Sequence, residues 1–219
     1  MKKKKKKCNV GWHAMTSKAP HRGKGGATVQ PIKSKKAILA IRRHLSEAKN
    51  VRDMALFIVG INFGLRGGDL VRLKWSDVLD KSGDLKNVVR IRESKNNNVR
   101  NIPINPKVRS VLERLQRDNE ENDSGEYLFP SRKRRNGEAQ PMTVIRLHQL
   151  VNEWCAAIGL EGHWGSHTLR KTFGFWCFHQ GISLALLMSL FGHSSEAITK
   201  RYIGIDEEAQ KEVYLKLEL

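Results

Sequence analysis

The 219-residue chain carries 40 Lys plus Arg against 22 Asp plus Glu, a net charge of +18. That surplus speaks to partners rather than to fold, and nucleic acid is the first candidate. No apolar run is long enough to span a bilayer, and the basic start lacks the apolar core of an export signal. Three cysteines (Cys8, Cys155, Cys177) without a framework spacing fit a reducing cytoplasm better than a disulfide scaffold.

Residues 1–30 hold nine Lys/Arg (Lys2, Lys3, Lys4, Lys5, Lys6, Lys7, Lys18, Arg22, Lys24) and no acid, leaving +9 for the rest. The tract reads either as a solvated tail or as an arm that releases counterions along phosphates without reading sequence. Residues 1–33 are therefore expected to form a basic, disordered tail, and residues 34–219 one globular domain.

The first helix is expected over 34–48, with Ile38, Leu39, Ile41 and Leu45 on its inner side. The nearly continuous apolar run over 51–64 predicts a helix buried almost all round, ended by Gly64. A short helix bearing Leu70, Val71 and Leu73 follows, then turn chemistry at Lys81-Ser82-Gly83-Asp84. The runs Val88–Ile91 and Val99–Ile104 flank a polar loop with Lys95 and signal a hairpin. Further helices are predicted near 106–120, 142–158, 167–180, 183–191, 195–202 and 206–217, with Cys155 and Cys177 as core residues. The basic segment Arg132, Lys133, Arg134, Arg135 reads as a surface loop. The fold class is thus mainly α with a small antiparallel β-hairpin.

Several short motifs carry chemistry. Arg66 in Gly64-Leu65-Arg66-Gly67-Gly68-Asp69 sits at the mouth of a helix, where a cation opposes the dipole unless an anion is bound. Lys95 on a hairpin loop is either a solvated charge or a mobile general acid. His167 and Arg170, three apart, share a helix face. His163 and His167 are four apart, but neither a third ligand nor an intervening Glu accompanies them, so no metal is expected. Gly192-His193-Ser194-Ser195-Glu196 ends one helix and caps the next. Tyr202 follows His193 by nine residues and is ordinarily packing, or else a nucleophile. Each motif alone has an ordinary structural explanation.

Together, Arg66, Lys95, His167-x-x-Arg170, Leu190-Phe191-Gly192-His193-Ser194 and Tyr202 resemble the tyrosine recombinase (phage integrase) family, from about residue 34 to the C-terminus. The resemblance implies that family's catalytic-domain fold, a DNA breaking-rejoining fold, and a transesterification of double-stranded DNA that uses neither metal nor ATP. It implies that Tyr202 attacks a backbone phosphorus to leave a 3′-phosphotyrosyl link. Arg66 and Arg170 would hold the non-bridging oxygens and Lys95 would protonate the departing 5′-oxygen. His167 would help activate the phenol or hydrogen-bond the phosphate, and His193 would add a further phosphate contact. Asp69 would orient Arg66 from behind, and the cationic neighbours would favour ionisation of a phenol whose ordinary pKa is ~10.

Segment 205–219 (Ile205, Val213, Leu215 and Leu217 with interspersed Glu and Lys) reads as an amphipathic helix. The resemblance implies that it docks on a neighbouring protomer within a homo-oligomer, a tetramer on DNA, with packing on its own domain as the alternative. It implies a bacterial or phage-encoded enzyme of the cytoplasm, associated with the nucleoid and serving integration or a mobile element. With only about 33 residues before the domain, the chain resembles short members such as fimbrial DNA-inversion recombinases, or a truncation of a longer gene. Lys171 stands where the family often has His, with little consequence expected. A DNA-relaxing enzyme of the type IB topoisomerase kind and a non-catalytic DNA-binding regulator remain as alternatives; the regulator is expected to have lost at least one of these residues.

Deleting residues 2–7 should flatten the dependence of DNA affinity on salt, by about 0.9 in log–log slope for each phosphate that the tract neutralises. An unchanged slope in a salt titration makes the tract a bystander.

Overall fold

The computed structural model describes residues 28–95, 97–122, 125–205 and 214–215, with side chains 120–122 omitted. The Lys2–Lys7 tract and most of the segment 206–219 lie outside the described residues. The order of elements is α1 (Lys35–Glu47), α2 (Val51–Phe63), α3 (Gly67–Val71), α4 (Trp75–Val78), β1 (Val88–Arg92), β2 (Val99–Pro103), α5 (Pro106–Asn122), α6 (Val144–Ala157), α7 (Thr168–His179), α8 (Leu184–Phe191) and α9 (Glu196–Ile203).

Local chemistry starts and stops these helices. Ser34, Asn50, Thr143, Ser183 and Ser195 each accept a backbone N–H of the following turn, satisfying donors that a helix start leaves orphaned. α2 and α8 both end on a left-handed glycine, Gly64 at φ 59° and Gly192 at φ 66°. β1 and β2 form a two-stranded antiparallel hairpin in the register Val88↔Pro103 to Arg92↔Val99. Val89, Ile91 and Ile102 face inward, as period-two alternation requires.

The apolar α2 is central: Ala55, Leu56, Phe57 and Val59 are fully buried, and it packs against α5 and α7. A second, smaller cluster (Phe175, Leu187, Phe191, Ile203, Ile205) joins α7, α8 and α9. This cluster positions the end of α9. A Cβ on Gly174 would come within 2.6 Å of Ile203 and 2.7 Å of Phe191, so the close approach of α7 to its neighbours needs glycine there.

Most predicted elements appear, with local differences. Leu39 is 57% exposed, and the buried stripe of α1 is Ala37, Ile41 and Leu45. The four-residue α4 is too short for a periodic signal and has no counterpart among the predicted elements. Cys155 is buried, whereas Cys177 is only half-buried. The expected helix over 206–217 lies outside the described residues apart from Tyr214 and Leu215, which are helical and exposed. Arg132, Lys133, Arg134 and Arg135 lie exposed on a surface loop. Among the described residues no helix is long and apolar enough to cross a membrane.

Candidate active site

The site forms where the ends of α2 and α8 meet the hairpin and the first turn of α7. At its centre is Glu93, only 2% exposed, immediately after β1. Its Oε2 lies 2.8 Å from Arg66 Nη1; its Oε1 lies 3.4 Å from Arg100 Nη1 and 3.6 Å from Arg170 Nη1. Three guanidiniums thus share one carboxylate, and positive charge remains in surplus.

Helix ends supply the remaining anchors. The Gly64 carbonyl accepts Arg170 Nη1 at 2.7 Å and Arg100 Nη1 at 3.4 Å. The Phe191 carbonyl accepts Arg170 Nη2 at 3.2 Å and Arg66 Nη2 at 3.3 Å. The Phe63 carbonyl accepts Arg100 Nη2 at 3.2 Å. These oxygens are the unpaired, partially negative C-termini of α2 and α8, which attract cations. The left-handed glycines turn the chain away, so the carbonyls stay available. The Phe191 ring also lies 4.7 Å beneath the Arg170 guanidinium.

Tyr202, near the end of α9, faces this cluster. Its hydroxyl is 3.2 Å from His167 Nδ1, a pair in which the donor depends on the tautomer. The His193 ring packs edge-on at 4.9 Å, while its Nδ1 lies 3.1 Å from Thr199 Oγ1. Lys95 is exposed on the β1–β2 loop, close enough for its charge to depress the pKa of His167. The structure therefore gathers Arg66, His167, Arg170, His193 and Tyr202 together, with Lys95 on the neighbouring β1–β2 loop.

Electrostatics follow from this crowding. Burial, then the charges of Arg170, Lys171, Arg66 and Lys95, push the His167 pKa below the ordinary histidine value. His193 is shifted down by burial, then by Arg170 and Arg66. Burial raises the Tyr202 pKa although Arg170 and Arg66 pull the other way. The cationic neighbours thus favour the phenolate as expected, but desolvation outweighs them.

A further expectation is corrected. The carboxylate that orients Arg66 is Glu93; Asp69 instead accepts Ser94 N at 3.0 Å and Ser94 Oγ at 2.6 Å, fastening the loop that carries Lys95. A carboxylate on the same short helix is the obvious local choice, whereas Glu93 arrives through the tertiary fold. Arg100 joins the site without a sequence signal, because on a strand it looks like an ordinary charge. Lys171, expected to be of little consequence, is 4% exposed, with Nζ 5.0 Å from the Tyr202 ring centroid. Its spacing of four from His167 is the sequence signal for that contact. Arg132–Arg135 lie apart from the Tyr202 cluster. With Arg72 and Gly68, residues 133–135 line a groove of about 500 Å³ beside α3.

The sequence profile described as "Phage integrase family" matches residues 33–209. The chain is 38% identical over 186 residues to the "Probable integrase/recombinase YoeC" of Bacillus subtilis (strain 168), covering 85% of this chain and 95% of that protein. It is 27% identical over 180 residues to the "Tyrosine recombinase XerA" of Pyrococcus horikoshii, covering 82% of this chain but 59% of that one. A crystal structure of XerA recombinase superposes with a TM-score of 0.67 at 21% identity, over 87% of this chain and 66% of that one. A lambda integrase tetramer bound to a Holliday junction gives 0.56 at 20% identity, over 83% and 50%. These two structural likenesses speak to fold. The chain spans nearly all of the Bacillus protein but little more than half of the longer XerA.

Glu93→Gln should cost about 3 kcal/mol of stability in urea denaturation, because it strips the shared anion from partly or fully buried arginines. Sulfate should recover part of the loss by binding those arginines in the folded state. A loss below about 1 kcal/mol, with no sulfate effect beyond that of the unaltered chain, contradicts Glu93 as their anchor.

Proposed function

We propose, from the premise that the chain belongs to the phage integrase family, that it is a site-specific recombinase that cleaves and rejoins double-stranded DNA through Tyr202. The observation that carries this reading is the 3.2 Å approach of the Tyr202 hydroxyl to His167 Nδ1 beside clustered arginines. A phenol, a base and preset cations are what phosphoryl transfer to tyrosine requires.

In this reading a DNA phosphate lies against Arg66 and Arg170, which neutralise its non-bridging oxygens, with His193 as a further contact. The phenol passes its proton to neutral His167 as its oxygen bonds to phosphorus. The bond from phosphorus to the 5′-oxygen breaks, and Lys95 protonates that oxygen. One phosphodiester is exchanged for a phosphotyrosyl ester and a free 5′-hydroxyl, and the reverse reaction seals a new strand. Burial that raises the Tyr202 pKa disfavours a standing phenolate, so deprotonation accompanies attack. The depressed His167 pKa supports the base role, since the ring is then neutral at neutral pH.

Asp69, through Ser94, steadies the loop from which Lys95 acts. The exposed Arg132, Lys133, Arg134 and Arg135, beside a groove one turn from Arg66, suit contact with the DNA backbone. Assembly into a homo-oligomer on DNA, with segment 205–219 docking on a neighbour, and service to a mobile element of a bacterium or phage belong to the same proposal. Exposure of Tyr214 and Leu215 supports the docking role. The names of the relatives favour recombination over DNA relaxation or passive binding.

With a nicked duplex taken from DNA flanking its gene, the chain should form an adduct that survives a denaturing gel, and Tyr202→Phe should abolish it. The rate should fall at acid pH only as pH drops through the His167 pKa, below the ordinary histidine value, because the base form is lost there. An adduct persisting in Tyr202→Phe, or none on any such duplex, sinks the proposal.

A further inference from the structure

Lys171 is buried yet has no part in the chemistry described above. It belongs to the first turns of α7, one turn beyond His167, and its backbone N–H donates to the His167 carbonyl at 2.9 Å. The two side chains therefore leave the same face of α7, and both meet Tyr202: His167 at the hydroxyl, Lys171 at the ring. An ammonium over an aromatic face is attracted by the ring's quadrupole, and the attraction grows when both are shielded from water.

The surroundings sharpen the point. Lys171 and Tyr202 share the wall of a cavity of about 950 Å³ between segment 28–34, the loop before α7, and α9. The titratable groups on that wall are Lys33 from the N-terminal segment, His163 from the loop, Arg201 and Tyr202 from α9, and Lys171 itself. No described carboxylate lines it. A buried cation ordinarily has a counter-anion, because desolvating a lone charge is costly. Among the described residues, the group against its ammonium that can become an anion is Tyr202. Burial accordingly holds the Lys171 pKa below the usual lysine value.

We propose that Lys171 is a positioning residue for Tyr202: its ammonium holds the phenol ring against α7 and stabilises negative charge as the phenol gives up its proton. The inference rests on Tyr202 as nucleophile, and it adds a cation over the ring to the charges of Arg170 and Arg66. Arg170 and Arg66 also favour the phenolate; Lys171 adds a cation over the ring of the attacking group.

An aryl sulfonyl fluoride tests this without DNA, since the phenol oxygen attacks sulfur, fluoride leaves, and the labelled Tyr202 peptide is read by mass. In the full chain at neutral pH, Lys171→Met should slow labelling of Tyr202 about tenfold, within the range of a desolvated cation–π contact. Lys171→Arg should retain most of the rate. The deficit of Lys171→Met should close as pH rises through the Lys171 pKa, because the unaltered chain then loses its cation too. If Lys171→Met does not fold, as judged by circular dichroism, Lys171→Gln takes its place. Equal labelling rates in the charge-removing variant and the unaltered chain, or failure of Lys171→Arg to rescue, overturn the proposal. Because no DNA is involved, these outcomes are independent of whether the nicked duplex yields an adduct.

Discussion

One buried carboxylate organises this site. Glu93 lies where β1 ends and engages arginines from the start of α3, from β2 and from α7. Those three elements are separated in sequence, so the Glu93 contacts close long loops between them. The same arginines reach the carbonyl ends of α2 and α8, so the anchors of the site are also ends of the core's helices. Three guanidiniums held this close would repel one another without that anion. Glu93 and the helix-end carbonyls set their positions before any phosphate arrives, which is the preorganisation that electrostatic catalysis depends on.

The tyrosine side follows a different balance. Tyr202 is buried enough that its phenol resists ionisation, and His167 is kept neutral by burial and by the cations around it. The arrangement thus keeps a protonated phenol beside a neutral imidazole, with Arg170, Arg66 and Lys171 close by. The α7–α8–α9 cluster, closed by the Gly174 contact, fixes the end of α9 and hence the distance between phenol and imidazole. A small displacement of α9 would alter that distance while leaving the larger core cluster in place.

Much of this is legible in the sequence because it is local. Caps at Ser34 and Ser195, the glycine after α2 and the alternation of Val89 and Ile91 each encode their element within a few residues. The six site residues are visible as motifs, and the fold brings five of them together with Lys95 on the neighbouring loop. What stays hidden depends on tertiary contact. Glu93 is 27 residues from Arg66, so a reading confined to one helix turns to Asp69 instead. Arg100 alternates on a strand like any exposed residue until Phe63 and Gly64 present their carbonyls to it. Lys171 shares a helix face with His167, but only the docking of α9 reveals what it faces. Leu39 misleads because one apolar residue extends the helical stripe beyond the face that is covered.

The central claim is that this cluster exists to present Tyr202 to a DNA phosphate. It is tested most directly by trypsin digestion of the covalent DNA adduct and mass spectrometry of the peptides. The chain has three tyrosines, and cleavage after Arg201 and Lys211 isolates Tyr202 from the other two. The expected result is a nucleotide remnant joined through its 3′-phosphate to Tyr202 in the peptide 202–211. A remnant on Tyr127, on Tyr214 or on any side chain other than Tyr202 would contradict it.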